Sequence, residues 1–133
     1  DPNALLLATT AMQAAQLVGW PESRIILSQC AVYLACAPKS NASSLAIGAA
    51  QQLVQRTGDL SVPLHLRNAP TRLMKELGHG RDYQYSHDQP GHAGDQEFLP
   101  EAISGTSLYT PGDNPREQKW AEHLGRIWKD RYR

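Results

Sequence analysis

Charge of one sign is missing from this chain: Lys+Arg and Asp+Glu stand at 13 each, so the formal net charge is zero. A protein that grips nucleic acid by charge alone is normally basic, so any such role here needs a local patch. Zero net charge also weakens repulsion between copies, which permits self-association. Cysteine is scarce, with Cys30 and Cys36 alone. On one helix, six residues place them about 9 Å apart along the axis and on different faces. That exceeds the reach of a disulfide and fits a reducing cytosol. Both fall in the most apolar helical stretch, where a thiol stays protonated and inert, so they read as small core residues and not as nucleophiles.

Long hydrophobic runs are also absent. The most apolar stretch, residues 4–18, is interrupted by Thr9, Thr10, Gln13 and Gln16 and is shorter than the roughly 20 residues of a membrane span. The opening DPNALLLATT has no basic leader and no signal-type cleavage site. The expectation is a soluble cytoplasmic protein with no membrane partner, cut from a longer helical array. Three catalytic signatures are missing too: the GxxxxGK[ST] phosphate loop, the GxSxG elbow and the HExxH pair. Their absence argues against intrinsic catalysis, and no catalytic, cofactor-binding or metal residue is assigned.

What is present is helical and apolar in the first half. A chain of 133 residues fits one domain and needs no staples. Asp1-Pro2 supplies a cap and a proline at the first helical position. Leu5, Met12 and Ala15 then recur at helical spacing until Gly19 stops the helix. Pro21 and Glu22 start a second helix through Ile25, Ile26, Cys30, Tyr33 and Leu34, apolar nearly all round and ending before Pro38. Ser40 or Asn41 caps a third, carrying Leu45, Ile47, Leu53 and Val54 and ending near Gly58. Short turns predict a compact three-helix unit. Such a unit has more apolar surface than it can shelter, which predicts a subunit interface drawn from Leu5, Met12, Ile26, Tyr33, Leu45 and Leu53.

The second half reads differently. Val62-Pro63-Leu64-His65-Leu66 is extended. Asn68-Ala69-Pro70-Thr71 leads into a short helix from Arg72 to Leu77, which Gly78 ends. From His79 to Asp113 the chain is irregular, an unusual length for a small domain. Its ordering is expected from Tyr83, Tyr85, Phe98 and Tyr109 lying on the helical layer, with short strands near Tyr83–Tyr85 and Glu97–Leu99. Asn114-Pro115-Arg116-Glu117 is close to a capping box. The helix behind it places Trp120, Leu124, Ile127 and Trp128 on one stripe, with both tryptophans as anchors onto the body. Its other face holds Arg116, Lys119, Arg126, Lys129 and Arg131, a second basic surface that can contact DNA or phosphate.

Two polar groupings invite chemistry. His79, Asp82, His87, Asp88, His92 and Asp95 mix imidazole and carboxylate, which suits zinc. No two of the histidines have helical i,i+4 spacing, so turn capping is the simpler reading, and a metal-dependent hydrolase on His79, His87 and His92 ranks last. Lys39, Arg67, Arg72, Lys75 and Arg81 fall around helix ends and loops, where they can line a DNA or phosphate face. A solvated surface is the default alternative.

The run PESRIILSQCAVYLACAPKSNASSLAIGAA, then VPLHLRNAPTRLMKELGHGRDYQYSHD and EFLPEAISGTSLYTP, resembles the C-terminal region of the replication-associated recombination protein A (MgsA) family. Eukaryotic relatives of that family include the Werner helicase-interacting protein. The resemblance covers Gly19 to about Gly112, with residues 1–18 as the end of a preceding helical region and 19–133 as a C-terminal oligomerisation domain. It implies a mainly α fold similar to the helical collar behind the AAA+ modules of clamp loaders. It also implies homotetramers, and a bacterial, nucleoid-associated parent ATPase acting at stalled or damaged replication forks. Implied partners are the upstream AAA+ module, DNA and single-stranded DNA-binding protein. ATP and Mg belong to the parent protein, and no ATP-site residue carries over to this chain. Ala37–Asn41, Leu64–Thr71 and Tyr83–Asp88 correspond to the family's characteristic motifs. Gly91-His92-Ala93-Gly94-Asp95 departs from it, standing where relatives carry a more apolar stretch.

Overall fold

A computed structural model describes residues 1–94 and 96–132, with the main chain alone at Asp130. The described residues form five α-helices and several 3-10 turns, with no strand among them. The mainly α class is therefore correct. By compactness the chain divides after Asn41 into two units, residues 1–41 and 42–133.

The first unit is a hairpin of α1 (Pro2–Val18) and α2 (Ser23–Cys36). The Asp1 carboxylate accepts the Asn3 N–H at 3.0 Å and caps α1, satisfying a donor that the first turn leaves orphaned. At the other end Gly19 takes φ 76°, in the left-handed region, and donates its N–H to Ala15 at 2.9 Å. Only glycine adopts that backbone without a Cβ penalty. Helix α2 begins at Ser23 and not at Pro21, which lies two residues ahead of it. Its last carbonyls at Leu34 and Ala35 accept from Lys39 Nζ at 2.6 and 3.2 Å.

Packing within the hairpin is done by small side chains. On α1 the residues withdrawn from solvent are Ala4, Leu7, Ala8, Ala11, Ala14 and Ala15, the i, i+3, i+4 stripe of one helical face. Ala11 is 5% exposed. The matching stripe on α2 is Ser23, Ile26, Cys30 and Tyr33, and Tyr33 Oη donates to Asp1 Oδ2 at 2.9 Å. An alanine face lets two helices approach closely, but it buries little apolar area per residue. Cys36, expected in the core beside Cys30, is exposed because the helix ends there; both thiols are free.

The expected three-helix unit is corrected. Helix α3 (Ala42–Thr57) belongs to the second unit and pairs with no other helix of that unit. Alternation of Leu45, Ile47 and Val54 around its circumference leaves all three more than half exposed. After α3 come a 3-10 turn at Leu64–Leu66, the short α4 (Arg72–Glu76), further 3-10 turns and α5 (Pro115–Trp128). Thr71 caps α4 through the Met74 N–H at 3.3 Å. Asn114 caps α5, its Oδ1 accepting from Arg116 at 3.2 Å and Glu117 at 3.1 Å.

Polar clamps order the long irregular region. The strands expected at Tyr83–Tyr85 and Glu97–Leu99 do not form. In their place the buried Gln96 amide takes both main-chain groups of Gln84, accepting at 3.1 Å and donating at 3.0 Å. One side chain thus satisfies a donor and an acceptor that a strand partner would have met. His65 Nε2 lies 2.8 Å from the Glu97 carbonyl oxygen, and Gly80 N–H donates to Leu64 at 2.8 Å. Of the aromatics expected to order the segment, Tyr83 and Tyr85 are about half exposed and Tyr109 is largely enclosed. Phe98 meets Trp128 edge-on at 5.9 Å.

Candidate interface surfaces and the Glu97 clamp

The large apolar side chains of the helices face outward. In α1 and α2 these include Leu5 at 75% exposed, Leu17 at 88%, Ile25 at 60% and Val32 at 61%, and Trp20 between the helices is 75% exposed. The cause is the choice of the alanine stripe for the inner contact: residues offset by about 100° per step from Ala4, Ala8, Ala11 and Ala15 must point away from it. Of the six interface candidates, Leu5, Met12 and Leu45 are exposed, while Ile26, Tyr33 and Leu53 are half-buried. Leu6, Leu17, Trp20 and Ile25 belong to the same exposed set and were not singled out by sequence. Their signal was available, since they lie on the face opposite the alanines.

The basic residues divide. Lys39 is spent on the carbonyls of Leu34, Ala35 and Ala37. Arg67 Nε donates to the Val62 carbonyl at 2.6 Å. Arg72 pairs with Glu76 at 2.8 Å, both side chains well exposed. Lys75 and Arg81 are exposed, and their side chains make no hydrogen bond or ion pair with described residues. Arg81 lines a cleft of about 450 Å³ with Leu64, His65, Leu77 and Gln96. Of the four in the second unit, only Arg81 lines that cleft.

Arg131, read from sequence as part of the free basic face, is corrected. Its guanidinium bonds the Glu97 carboxylate and lies 4.7 Å from the centre of the Trp128 ring, so it serves the fold by charge pairing and cation–π attraction. Glu97 is the hub of the region. Oε1 accepts the N–H groups of Phe98 and Leu99, each at 2.9 Å. Oε2 accepts from Ser104 Oγ at 2.9 Å and Gly105 N–H at 2.7 Å, besides Arg131. Burial pushes the Glu97 carboxyl up, but the hydrogen bonds from Leu99, Gly105 and Ser104 and the Arg131 charge outweigh it and hold it at about 2.

Glu117 plays a similar part at α5. It is 7% exposed, and its carboxylate accepts the Gly112 N–H. Burial first, then the charge of Glu117, pushes the Tyr109 hydroxyl above its ordinary range. Trp128 is an anchor as expected, whereas Trp120 is 42% exposed and packs less deeply, being offset from the 121–124–128 stripe that faces inward.

The polar cluster scatters. His79 Nδ1 sits 3.3 Å from the Asn68 carbonyl oxygen. His87 and His92 meet at a tilt with ring centroids 5.1 Å apart, and Tyr85 meets His87 in the same way at 5.1 Å. Asp95 lies outside the described residues. Among the described residues no three His, Cys, Asp or Glu side chains converge as metal ligands, and no helix is long and apolar enough to cross a membrane.

An alanine-seamed hairpin, outward apolar side chains and a turn-rich tail locked by carboxylates define an all-helical module. Residues 1–128 match the family described as MgsA AAA+ ATPase C terminal, and the chain belongs to that family. It is 47% identical over 125 residues to replication-associated recombination protein A of Coxiella burnetii and 42% identical over 125 residues to the protein of that name from Escherichia coli K12. Both alignments cover 93% of this chain and 28% of the relative. It is also 43% identical over 112 residues to ATPase WRNIP1 of Dictyostelium discoideum, covering 82% of this chain and 13% of that protein. The chain therefore spans under a third of the length of these relatives.

Proposed function

We propose that this chain is the oligomerisation and scaffold region of a replication- and recombination-associated AAA+ ATPase that acts at stalled or damaged replication forks. In this reading the chain has no catalytic centre or cofactor of its own, and ATP and Mg bind in the module upstream. Its partners are sister copies and that module, in an arrangement like the helical collar of clamp loaders. DNA and single-stranded DNA-binding protein are partners of the whole cytoplasmic, nucleoid-associated protein.

The observation that carries the proposal is surplus accessible surface, in which large apolar side chains such as Leu17 and Trp20 stand exposed. The chain exposes 10124 Å². A compact monomer of 14.7 kDa exposes about 6,900 Å². Even two separate bodies of 41 and 92 residues would together expose only about 8,200 Å² by the same scaling. The surplus of roughly 1,900 Å² equals about two standard interfaces at ~800 Å² per partner. Two contacts per copy are what a closed ring or tetramer requires, whereas a dimer requires one.

Light scattering of the chain at tens of micromolar is expected to give four times 14.7 kDa. The double substitution Leu5→Glu with Leu17→Glu leaves the alanine seam intact and is expected to reduce that mass toward one copy. A strictly monomeric wild-type chain refutes the proposal.

A second reading, DNA contact by this region, is favoured by Lys75 and Arg81, whose charges no described residue satisfies. It predicts binding to single-stranded or forked DNA that weakens steeply with salt. No binding at low salt removes it.

A further inference from the structure

We infer that His87 and His92 form a two-imidazole site for a zinc ion, which staples the turn between them. Their ring centres lie 5.1 Å apart with the planes inclined at 55°. Two imidazoles on one tetrahedral ion, each with its nitrogen about 2.1 Å from the metal, have ring centres about 5.2 Å apart and planes free to tilt. Both side chains are exposed, and neither makes a hydrogen bond or ion pair with a described residue. Each neutral ring therefore keeps a nitrogen lone pair for a ligand. Imidazole nitrogen suits zinc, whereas a hard ion such as magnesium takes oxygen donors.

The backbone brings the pair together in a way a helix could not, since five residues on an α-helix differ by about 140° around the axis. Here Ser86–Asp88 is one 3-10 turn and Gln89 is extended. Gly91 and His92 then follow at φ 69° and 55°, and two successive left-handed residues reverse the chain. A residue with a Cβ seldom takes that conformation, and such outliers gather at ligand clamps. Tyr85 lies against His87 at 5.1 Å and limits the swing of that ring. Asp88 is exposed, its carboxylate bonds no described residue, and its charge favours a cation beside it. Among the described residues no third His, Cys, Asp or Glu joins the pair, so water completes the shell. The ion is a staple and not a catalytic centre. Gly91 and Ala93, on either side of His92, wall a cleft against α5. Binding at the pair fixes that wall, because an ion that holds only the closed turn stabilises it.

The test is calorimetric titration of the whole chain with zinc chloride, with amide hydrogen exchange read along the chain. One ion per chain is expected at micromolar affinity, weaker than a four-ligand structural site, and unchanged by millimolar magnesium. His87→Asn and His92→Asn are each expected to weaken it tenfold or more. Asparagine tolerates the left-handed φ at position 92 and both side chains are exposed, so the fold is retained. Cys30→Ser with Cys36→Ser, and separately His79→Ala, are expected to leave binding unchanged, which separates the pair from the other nitrogen and sulfur donors. Zinc is expected to slow exchange in the turn from residue 89 to 93 at least fivefold and to leave α1 and α2 as they were. No zinc binding, or binding kept in both histidine variants, overturns the inference and leaves a plain contact between rings. Binding lost with the cysteines or with His79, displacement by magnesium, or zinc uptake without slower exchange in the turn overturns it as well.

Discussion

In the α1–α2 hairpin the inward stripe is alanine and Leu17 stands 88% exposed. In the region from Val62 to Tyr132 the inward groups include Gln96 at 9% and Glu117 at 7%, and Glu97 collects main-chain donors from two turns. The hairpin is regular, so its backbone hydrogen bonds close within each helix and its side chains are left to decide what it touches. The turn-rich region has no such ladder, so its side chains must satisfy its backbone. One unit leaves apolar area exposed, and the other uses polar groups to finish its own chain.

The largest effect that separates the two is expected at Glu97. Glu97→Gln removes the charge that Arg131 and the surrounding N–H groups face, and should destabilise the second unit by about 3 kcal/mol. The hairpin should be untouched, and hydrogen exchange measured along the chain reads both at once. The same residue sets an acid limit. Its carboxyl is held at about 2 from an ordinary 4.5, so its stabilisation is fully present above pH 4.5 and lost as pH falls through about 2. Denaturant melts between pH 5 and 2 should show this slope in the wild type and a flatter one in Glu97→Gln.

Next comes the hairpin seam. Ala11→Leu overfills a 5% exposed position and should cost about 2 kcal/mol, whereas Leu17→Ala should leave the isolated fold within about 0.5 kcal/mol and act on assembly only. A larger effect of Leu17→Ala on monomer unfolding would break the comparison. Asn114→Ala removes the acceptor for two N–H groups at the start of α5 and should cost about 1 kcal/mol. Arg72→Ala breaks an exposed i,i+4 pair and should change stability by under about 0.5 kcal/mol.

Helices, caps and stops were legible in the sequence wherever local chemistry decides them. Asp1, Thr71 and Asn114 cap as their residue types require, and Gly19 ends α1 with a positive φ that glycine adopts without a Cβ penalty. The Tyr83 and Glu97 segments had strand-like composition but no strand, because the Gln96 amide took the pairing role. No periodicity in a sequence announces that a side chain will substitute for a strand. Arg131 read as solvated for the same reason: its partner is 34 residues away.

His87 and His92 had suggested metal ligands by composition; their tilted ring contacts with each other and with Tyr85 are a matter of ring orientation that spacing does not encode.

By itself the sequence determined where helices start and stop, that the chain is mainly α and which family it belongs to, because capping, periodicity and shared motifs are local or linear properties. Only the tertiary structure decided which face of each helix turns inward, which cations are left over, and that Glu97 rather than an aromatic cluster locks the tail. Those outcomes depend on which groups distant in sequence come within a few ångströms, where burial and hydrogen-bond geometry set the energies.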